Sequence, residues 1–316
     1  MIAVSQDLSR RYPVPLEASV QESVFHHPSF PDFQVLDSGA AEKLERIGDI
    51  VLRRPDPQAL WSRRQPEKVW NAADLTFVRE SDRGGRWEAR KGAHKIALSA
   101  EPEWQVRYRD AAFIVRPTPF KHIGLFPEQA ANWELVADLR ESFGTARPRL
   151  LNLFGYTGAA SVLAARAGYE VTHVDASKTS IQWTRDNAAA SGLAADALRV
   201  MVDDALAFAR RDVRRKARYN VVLLDPPHYG RGPKGEVWQF EEHITPLIEA
   251  VRDILEERAL VVLSTYAIGC SPLTFRNLLS ELGGGDIESG ELALPEGDGA
   301  RLLPCGFCAR FRRGIA

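Results

Sequence analysis

The segment "LNLFGYTGAAS", residues 151–161, joins a short apolar run to an alanine-rich segment through two glycines. The apolar run predicts a buried strand over residues 150–154, and the alanine-rich segment predicts a helix over residues 159–166. Gly155 and Gly158 permit a tight turn and let a ligand approach the start of that helix. The spacing is G-x-x-G and not G-x-G-x-x-G, which disfavours a nicotinamide dinucleotide site. An ordinary turn between strand and helix remains the alternative.

Four more strand–helix pairs follow this unit and predict the fold class. Strands are predicted over residues 170–174, 198–202, 220–224 and 260–264, and helices over residues 178–191, 205–214, 241–255 and 273–282. Five consecutive units of this kind are typical of an α/β fold, with a mostly parallel Rossmann-like sheet covered by helices on both faces. Another helix is predicted over residues 127–144. Two final strands, 286–292 and 306–312, are expected to close one edge of the sheet antiparallel.

The first third of the chain differs from the rest in its residue pattern. Residues 1–30 are rich in proline and are expected to form an arm, and residues 31–118 predict a small β-rich domain. Its β-rich runs are "QVLDSG", "DIVLRRP", "LTFVRE", "RWEAR", "HKIALS" and "AFIVRP". The sheet domain is predicted to occupy residues 119–316.

Composition narrows the class of protein. The chain has 316 residues, 45% of them hydrophobic, and a formal net charge of −1, so it can bury a large core. It contains neither an apolar run long enough to span a membrane nor the pattern of a secretory signal, and its three cysteines do not make a disulfide framework. These features favour a cytoplasmic protein. Of the 41 basic residues 33 are arginines, which suits phosphate and base recognition or reflects genome composition.

Acidic residues follow the second and third predicted strands. Asp175 ends "THVD", where an acid commonly accepts the hydroxyls of a ribose, or it caps the next helix. Asp203 or Asp204 could accept from an adenine amino group, or cap the helix that begins at Ala205. Taken with the glycine turn, these positions describe an adenosyl ligand at the carboxyl ends of the strands.

The fourth strand delivers "DPPHYGRGP", residues 225–233. The Asp225 carboxylate and the Pro226 carbonyl are two acceptors held by stiff prolines, and they suit an amine or amide beside a flat ring. Cys305 and Cys308 have a C-x-x-C spacing but no further ligands near them, so we interpret them as core residues and expect no metal site.

Five motifs occur in the order "FKHIGLFPEQ", "LNLFGYTGAAS", "VDASK", "DDALAF" and "DPPHYGRG". Over residues 119–313 the chain thereby resembles the class I S-adenosylmethionine-dependent methyltransferases. More narrowly, it resembles the large-subunit ribosomal RNA cytosine-C5 methyltransferases and their close relatives. The resemblance implies S-adenosylmethionine as the cofactor.

The resemblance also implies roles for individual residues. The segment packed over the cofactor would include Lys121, Phe126 and Gln129. The methionine part would lie against Phe154, Gly155, Tyr156, Thr157 and Gly158, the ribose would contact Asp175, Ala176 and Ser177, and the adenine would meet Asp204 or Asp203. The acceptor would face Asp225, Pro226 and Tyr229. Apart from the resemblance, we expect His228 as a further ring contact and Arg231 near the phosphates of the substrate.

One departure from the family concerns the nucleophile. Cytosine-C5 methylation needs a thiolate, which in the family directly follows a Ser/Thr pair after the fifth strand. Here "VVLSTYAIGCSP" has Tyr266 in that place and Cys270 four residues later. Cys270 could act only if the loop bent unusually, and otherwise it is a bystander.

Direct methyl transfer to a base in ribosomal or transfer RNA is therefore the leading hypothesis. A protein amide or a small molecule is the alternative acceptor, and a non-catalytic binding protein is a third hypothesis. The basic run "RRDVRRKAR", residues 210–218, is expected either to steer RNA phosphates toward the strand ends, with Arg231 and Lys234, or to be a solvated helix face. We expect no membrane partner, and a homodimer stays open.

Overall fold

A computed structural model describes residues 23–27, 30–81, 84–266, 269–297, 299 and 301–315. The strands are β1 (Ser23–Phe25), β2 (Phe33–Gly39), β3 (Glu42–Ile47), β4 (Ile50–Pro55), β5 (Leu75–Ser81), β6 (Gly84–Ala89), β7 (Trp104–Tyr108), β8 (Ala111–Val115), β9 (Arg149–Leu153), β10 (Glu170–Asp175), β11 (Leu198–Val202), β12 (Tyr219–Leu224), β13 (Tyr229–Arg231), β14 (Val237–Gln239), β15 (Leu255–Thr265), β16 (Asp286–Pro295) and β17 (Leu302–Arg313). The α-helices are α1 (Glu67–Trp70), α2 (Ala130–Asp138), α3 (Ala159–Arg166), α4 (Lys178–Ala190), α5 (Ala205–Arg214), α6 (Phe240–Arg252) and α7 (Pro272–Ser280).

The central sheet has eight strands in the order β1-β16-β17-β15-β12-β9-β10-β11. The predicted α/β class and its mostly parallel sheet are confirmed, because β11, β10, β9, β12 and β15 all pair in parallel. The last two strands extend one edge of the sheet as predicted, but only β17 runs antiparallel to the parallel strands. The final strand β17 inserts between β15 and β16 and runs antiparallel to both, so β16 points the same way as the parallel strands.

Burial explains why this sheet lies at the centre of the molecule. All six residues of β12 are buried, as expected for a parallel strand covered on both faces. One hydrophobic core joins the sheet to α5, α6 and α7, and another joins it to α2 and α3. In the described ranges, no helix is both long and apolar enough to span a membrane.

The helix predicted over residues 127–144 is broken into three pieces. A 3-10 turn (Pro127–Gln129) leads into α2, and a second 3-10 turn (Arg140–Phe143) follows it. Gly144 ends the segment with φ +66°, the left-handed conformation that glycine adopts at little cost.

The β-rich region has a five-stranded sheet in the order β2-β3-β4-β5-β6 and a separate β7–β8 hairpin. The strand interpretation of "HKIALS" is wrong, because residues 94–99 form turns, and β3 and β7 were not predicted. Most of the predicted arm lies outside the described residues. Its end, β1, pairs in parallel with β16 and is part of the central sheet.

Polar contacts hold the β-rich region against the large sheet. The β7–β8 hairpin accepts a hydrogen bond from Trp183 of α4 and donates one from the Ile114 amide to Asn187, at 3.0 and 2.8 Å. Arg301, between β16 and β17, pairs with Asp37 of β2 at 3.0 Å. The β-rich region therefore lies against the domain that carries the strand-end residues.

Candidate active site

A cavity of about 650 Å³ opens at the carboxyl ends of the parallel strands. It lies where the strand order reverses, between β9 and β12, which is the usual ligand site of such sheets. Most of the residues predicted for the site line it together: Phe126, Gln129, Phe154, Tyr156, Asp175, Ala176, Ser177, Asp203, Asp204, Asp225, Pro226, His228, Tyr229 and Arg231.

Four predicted residues lie outside this lining. Gly155 and Thr157 line a smaller adjoining pocket, and Lys121 lines a recess between the β-rich region and the sheet. Gly158 lines none of these three spaces. It begins α3 with φ +84°, and an added Cβ would lie 2.5 Å from Thr184. Its part in the site is therefore to let the turn approach α4 closely.

The turn after β9 is a strained piece of backbone. Phe154 and Tyr156 have φ +57° and +52°, in the left-handed region that non-glycine residues rarely adopt. Gly155 between them packs onto His173, since an added Cβ would lie 2.3 Å from the imidazole Cε1. Burial lowers the pKa of His173 to about 4, so this ring is a neutral support. Such strain concentrates where a site needs backbone in one fixed shape.

Asp175 lies beside this turn at the end of β10. Its carboxylate accepts hydrogen bonds from the backbone amides of Tyr156 and Ser177, both at 2.8 Å. Burial raises the pKa of Asp175, and the two amides oppose the rise. The alternative that Asp175 caps α4 is wrong, because Ser177 accepts from the Ser180 amide and is the cap. The remaining lone pairs of the carboxylate can accept from a ligand in the cavity.

The two acids after β11 have separate partners. Asp204 caps α5 by accepting from the Ala207 amide at 2.8 Å, so the prediction that an acid caps this helix is confirmed for Asp204. Asp203 is ion-paired with Arg211 and accepts from the Asp204 amide at 3.0 Å. Both acids line the cavity. That one of them accepts a hydrogen bond from an adenine amino group stays a prediction.

Asp225 follows β12 at the other end of the cavity. Its side chain opens into the cavity, and Gln129 donates to it at 3.3 Å and to the Ser264 hydroxyl at 2.9 Å. The Asp225 side chain is exposed to the cavity, yet desolvation by the surrounding protein and, to a smaller extent, the Glu128 carboxylate raise its pKa to about 7, while a contact with Ser264 opposes the rise. The Pro226 carbonyl accepts from Thr265 at 3.1 Å, which fixes it against β15.

A short hairpin, β13–β14, carries the other predicted acceptor contacts. Tyr229 is 52% exposed, and His228 contacts Glu241 at 3.1 Å. The hairpin is fastened by Trp238, which donates to the Pro227 carbonyl at 2.7 Å and packs against Phe154. Trp238 was not predicted, although a tryptophan in an otherwise polar hairpin could have indicated a buried anchor.

Cys270 does not line the cavity, whereas Tyr266 does. Burial raises the pKa of the Cys270 thiol, with a smaller contribution from Glu241, which disfavours the thiolate. A different thiol, Cys305, lines the cavity; it donates to the Leu303 carbonyl, and burial raises its pKa well above the ordinary value. Neither environment activates a cysteine nucleophile.

The expected position of the basic run is partly wrong. Helix α5 starts at the carboxyl end of β11 and ends at Arg214, and Arg218 directly precedes β12. Residues 214–218 therefore lie toward the amino ends of the strands, away from the cavity. Arg211 does reach the cavity side, where it pairs with Asp203.

The chemistry of the lining fits S-adenosylmethionine. The cofactor carries a positive sulfonium, an ammonium group, a carboxylate and two ribose hydroxyls, and the cavity offers carboxylates for the cations and hydroxyls at the ends of β10 and β11. The rings of Phe126, Phe154 and Tyr156 add aromatic faces, which attract cations and stack on flat rings. These acids would repel the anionic pyrophosphate of a nicotinamide dinucleotide.

Comparison with known proteins agrees with this fit. The "Conserved hypothetical protein 95" family matches residues 131–276. The chain is 28% identical to the ribosomal RNA large subunit methyltransferase K/L of Shewanella frigidimarina over 221 residues, and 35% identical to that of Shewanella baltica over 192 residues. These matches cover 69% and 60% of this chain but only 28% and 24% of the relatives, so the chain spans about a quarter of their length.

Solved structures give fuller matches. The crystal structure of the SAM-dependent methyltransferase from Agrobacterium tumefaciens is 38% identical, covers 92% of this chain and 93% of its own, and has a TM-score of 0.86. SMU.776, solved in complex with SAH, shares the fold at a TM-score of 0.64 and 20% identity, over 88% of this chain and 75% of its own. With the predicted motifs in one cavity and a relative matched along nearly its whole length, the chain belongs to the class I S-adenosylmethionine-dependent methyltransferases, and S-adenosylmethionine is its cofactor.

Proposed function

We propose that this enzyme methylates a base in ribosomal or transfer RNA by direct transfer, with no covalent enzyme–base intermediate. S-adenosylmethionine supplies a methyl group on sulfonium sulfur, which the acceptor's lone pair takes while the C–S electron pair stays on sulfur. The protein's part is to hold the acceptor in line and to receive the proton that the methylated nitrogen loses.

The observation that carries this proposal is the environment of Asp225. This carboxyl lies in the same cavity as Asp175, and its pKa of about 7 suits a group that takes up a proton near neutral pH. Gln129 holds the carboxylate through its amide, so the acceptor oxygen has a fixed position. We infer that Asp225 orients the acceptor amine and then receives its proton.

A flat, phosphate-bearing acceptor suits the mouth of the cavity. Tyr229 presents an exposed ring for stacking, and the exposed Arg231 lies two residues further along the same hairpin. The curated relatives are named for ribosomal RNA, which supports the same class of acceptor. The cytosine-C5 reaction finds no support here, because neither Cys270 nor Cys305 is in an environment that favours a thiolate.

Tritiated methyl transfer tests the proposal. Total RNA and total protein from cells that lack the gene would each be incubated with the purified enzyme and labelled cofactor, followed by mass spectrometry of the nucleosides. We expect label in one methylated nucleoside of the RNA, and none with the Asp225→Ala variant. Label in the protein fraction alone would replace RNA by a protein acceptor.

A further inference from the structure

Glu128 occupies a position that joins two spaces in the molecule. It belongs to the turn Pro127–Gln129, directly before the glutamine that contacts Asp225. Its side chain lines both the cofactor cavity and the recess between the β-rich region and the sheet. In the part of the chain that the structure describes, the carboxylate receives a hydrogen bond only from its own backbone amide. It can therefore accept from a ligand.

Two cationic side chains of the β-rich sheet line the recess together with Glu128. Lys43 of β3 and Arg54 of β4 line the same recess and are held in turn by Asp56, at 3.2 Å, and by the buried Glu45. Arg54 also donates to the Lys121 carbonyl at 2.9 Å, which fixes the loop leading to Glu128. Burial raises the pKa of Glu128, with a small contribution from Glu45, whereas Lys43 and Arg54 oppose the rise.

Glu128 also lines the cavity into which Asp225 opens. Asp225, Tyr266 and Cys305 line this cavity with it; burial is the largest cause of the raised pKa of each group, and the Glu128 charge adds to it. Glu128 and Asp225 thus present carboxyl oxygens to one space, with the Tyr266 ring as part of the wall. Such a space accepts N–H donors and repels carbonyl oxygens.

We propose that Glu128 contacts the acceptor base and, together with Asp225, selects bases that carry an amino group. This inference rests on the proposed function, because the acceptor is a base. An amino group donates to either carboxylate. Uracil replaces the cytosine amino group by a carbonyl, hypoxanthine does the same to the adenine amino group, and hypoxanthine lacks the 2-amino group of guanine. Cytosine, adenine and guanine bases meet this requirement, and uracil and hypoxanthine do not.

Equilibrium binding tests the proposal without any methyl transfer. The full chain, saturated with S-adenosylhomocysteine, would be titrated with pentaribonucleotides of sequence UUXUU, where X is cytidine, adenosine, guanosine, uridine or inosine. We expect at least one amino base to bind about tenfold more tightly than both uridine and inosine, as for a hydrogen bond to a charged group. The Glu128→Gln variant should reduce this preference to less than about threefold, since a neutral amide both donates and accepts.

Two further variants make the result interpretable. Glu128→Asp should restore part of the preference, and Glu141→Gln, at an exposed glutamate distant from the cavity, should leave it unchanged. A wild-type enzyme without preference, or a preference that survives in Glu128→Gln, would overturn the inference. Wild-type enzyme that selects amino bases but labels no RNA would contradict the proposed function instead.

Catalysis offers a second readout that a merely structural role would not move. Removing the Glu128 charge should shift the acid limb of kcat/KM from near pH 7 toward lower pH, because that charge helps to raise the pKa of Asp225. An unchanged limb in Glu128→Gln, with S-adenosylhomocysteine affinity intact, would show that the Glu128 charge does not act on Asp225 and would contradict the shared space that the inference requires.

Discussion

The two ends of the cavity, which we propose to be the cofactor end (Asp175 and the acids after β11) and the acceptor end (Asp225 and Glu128), are built in different ways. At the first of these ends, Asp175 and Asp204 are held by the backbone amides of Ser177, Ala207 and Tyr156, the last of these 19 residues away. At the acceptor end, Gln129 contacts Asp225 across 96 residues of sequence, and Glu128 is backed by cations of the β-rich sheet. One end is assembled from neighbouring strand–helix units, and the other brings together distant parts of the chain.

This difference predicts that the two ends can be damaged separately, and the largest effect is expected at the acceptor end. Asp225→Ala should lower kcat for methyl transfer by about a thousandfold, because it removes both the orienting acceptor and the proton acceptor. Single-turnover transfer of labelled methyl groups measures this loss. A decrease of less than about tenfold would exclude Asp225 from the chemistry.

The matching change at the cofactor end is Asp175→Ala. Losing charged hydrogen bonds to the ribose should weaken S-adenosylmethionine binding by about a hundredfold, as measured by calorimetry. Asp196→Ala, at an exposed acid on the loop before β11, is the control and should bind normally. Normal binding by Asp175→Ala would show that the ligand does not reach the end of β10.

The pH dependence sharpens the role of Asp225. Transfer needs the ionised carboxylate, and its pKa is raised to about 7, so the rate should fall as the pH decreases through 7. Below that pH we expect about a tenfold decrease per unit in kcat/KM. A rate that stays flat from pH 8 to pH 5 would contradict this assignment.

The smallest effect is expected at Cys270. Because this thiol lies outside the cavity lining and its pKa is raised by burial, Cys270→Ser should change kcat by less than about twofold. Loss of activity, or a covalent enzyme–RNA adduct in the wild type that the variant lacks, would restore the cysteine mechanism.

The sequence predicted the parts of the fold whose signals are local. Helices α3 and α5 have the predicted bounds, since an alanine-rich segment after Gly158 and a cap at Asp204 define their starts. The glycine turn and Asp175 could be predicted as site residues because each directly follows a buried strand. The place of β17 inside the sheet was not predictable in this way, since strand order is set by tertiary pairing.

The acceptor end shows where local patterns stop being informative. Glu128 stood in a quoted motif but was not singled out, because its significance comes from Lys43 and Arg54, more than 70 residues earlier in the chain. Lys121 was expected at the cofactor, yet its ammonium donates to the Pro55 carbonyl in the recess. Both outcomes depend on how the β-rich sheet packs, which sequence spacing does not encode.

One calorimetric titration tests most directly whether the two ends are separate. Asp225→Ala, folded as judged by its thermal transition, would be titrated with S-adenosylmethionine beside the wild-type enzyme. We predict a Kd within about tenfold of the wild-type value, because the turn after β9, Asp175 and the acids after β11 are untouched. A loss of affinity as large as that expected for Asp175→Ala would contradict the account, because Asp225 would then belong to the cofactor end.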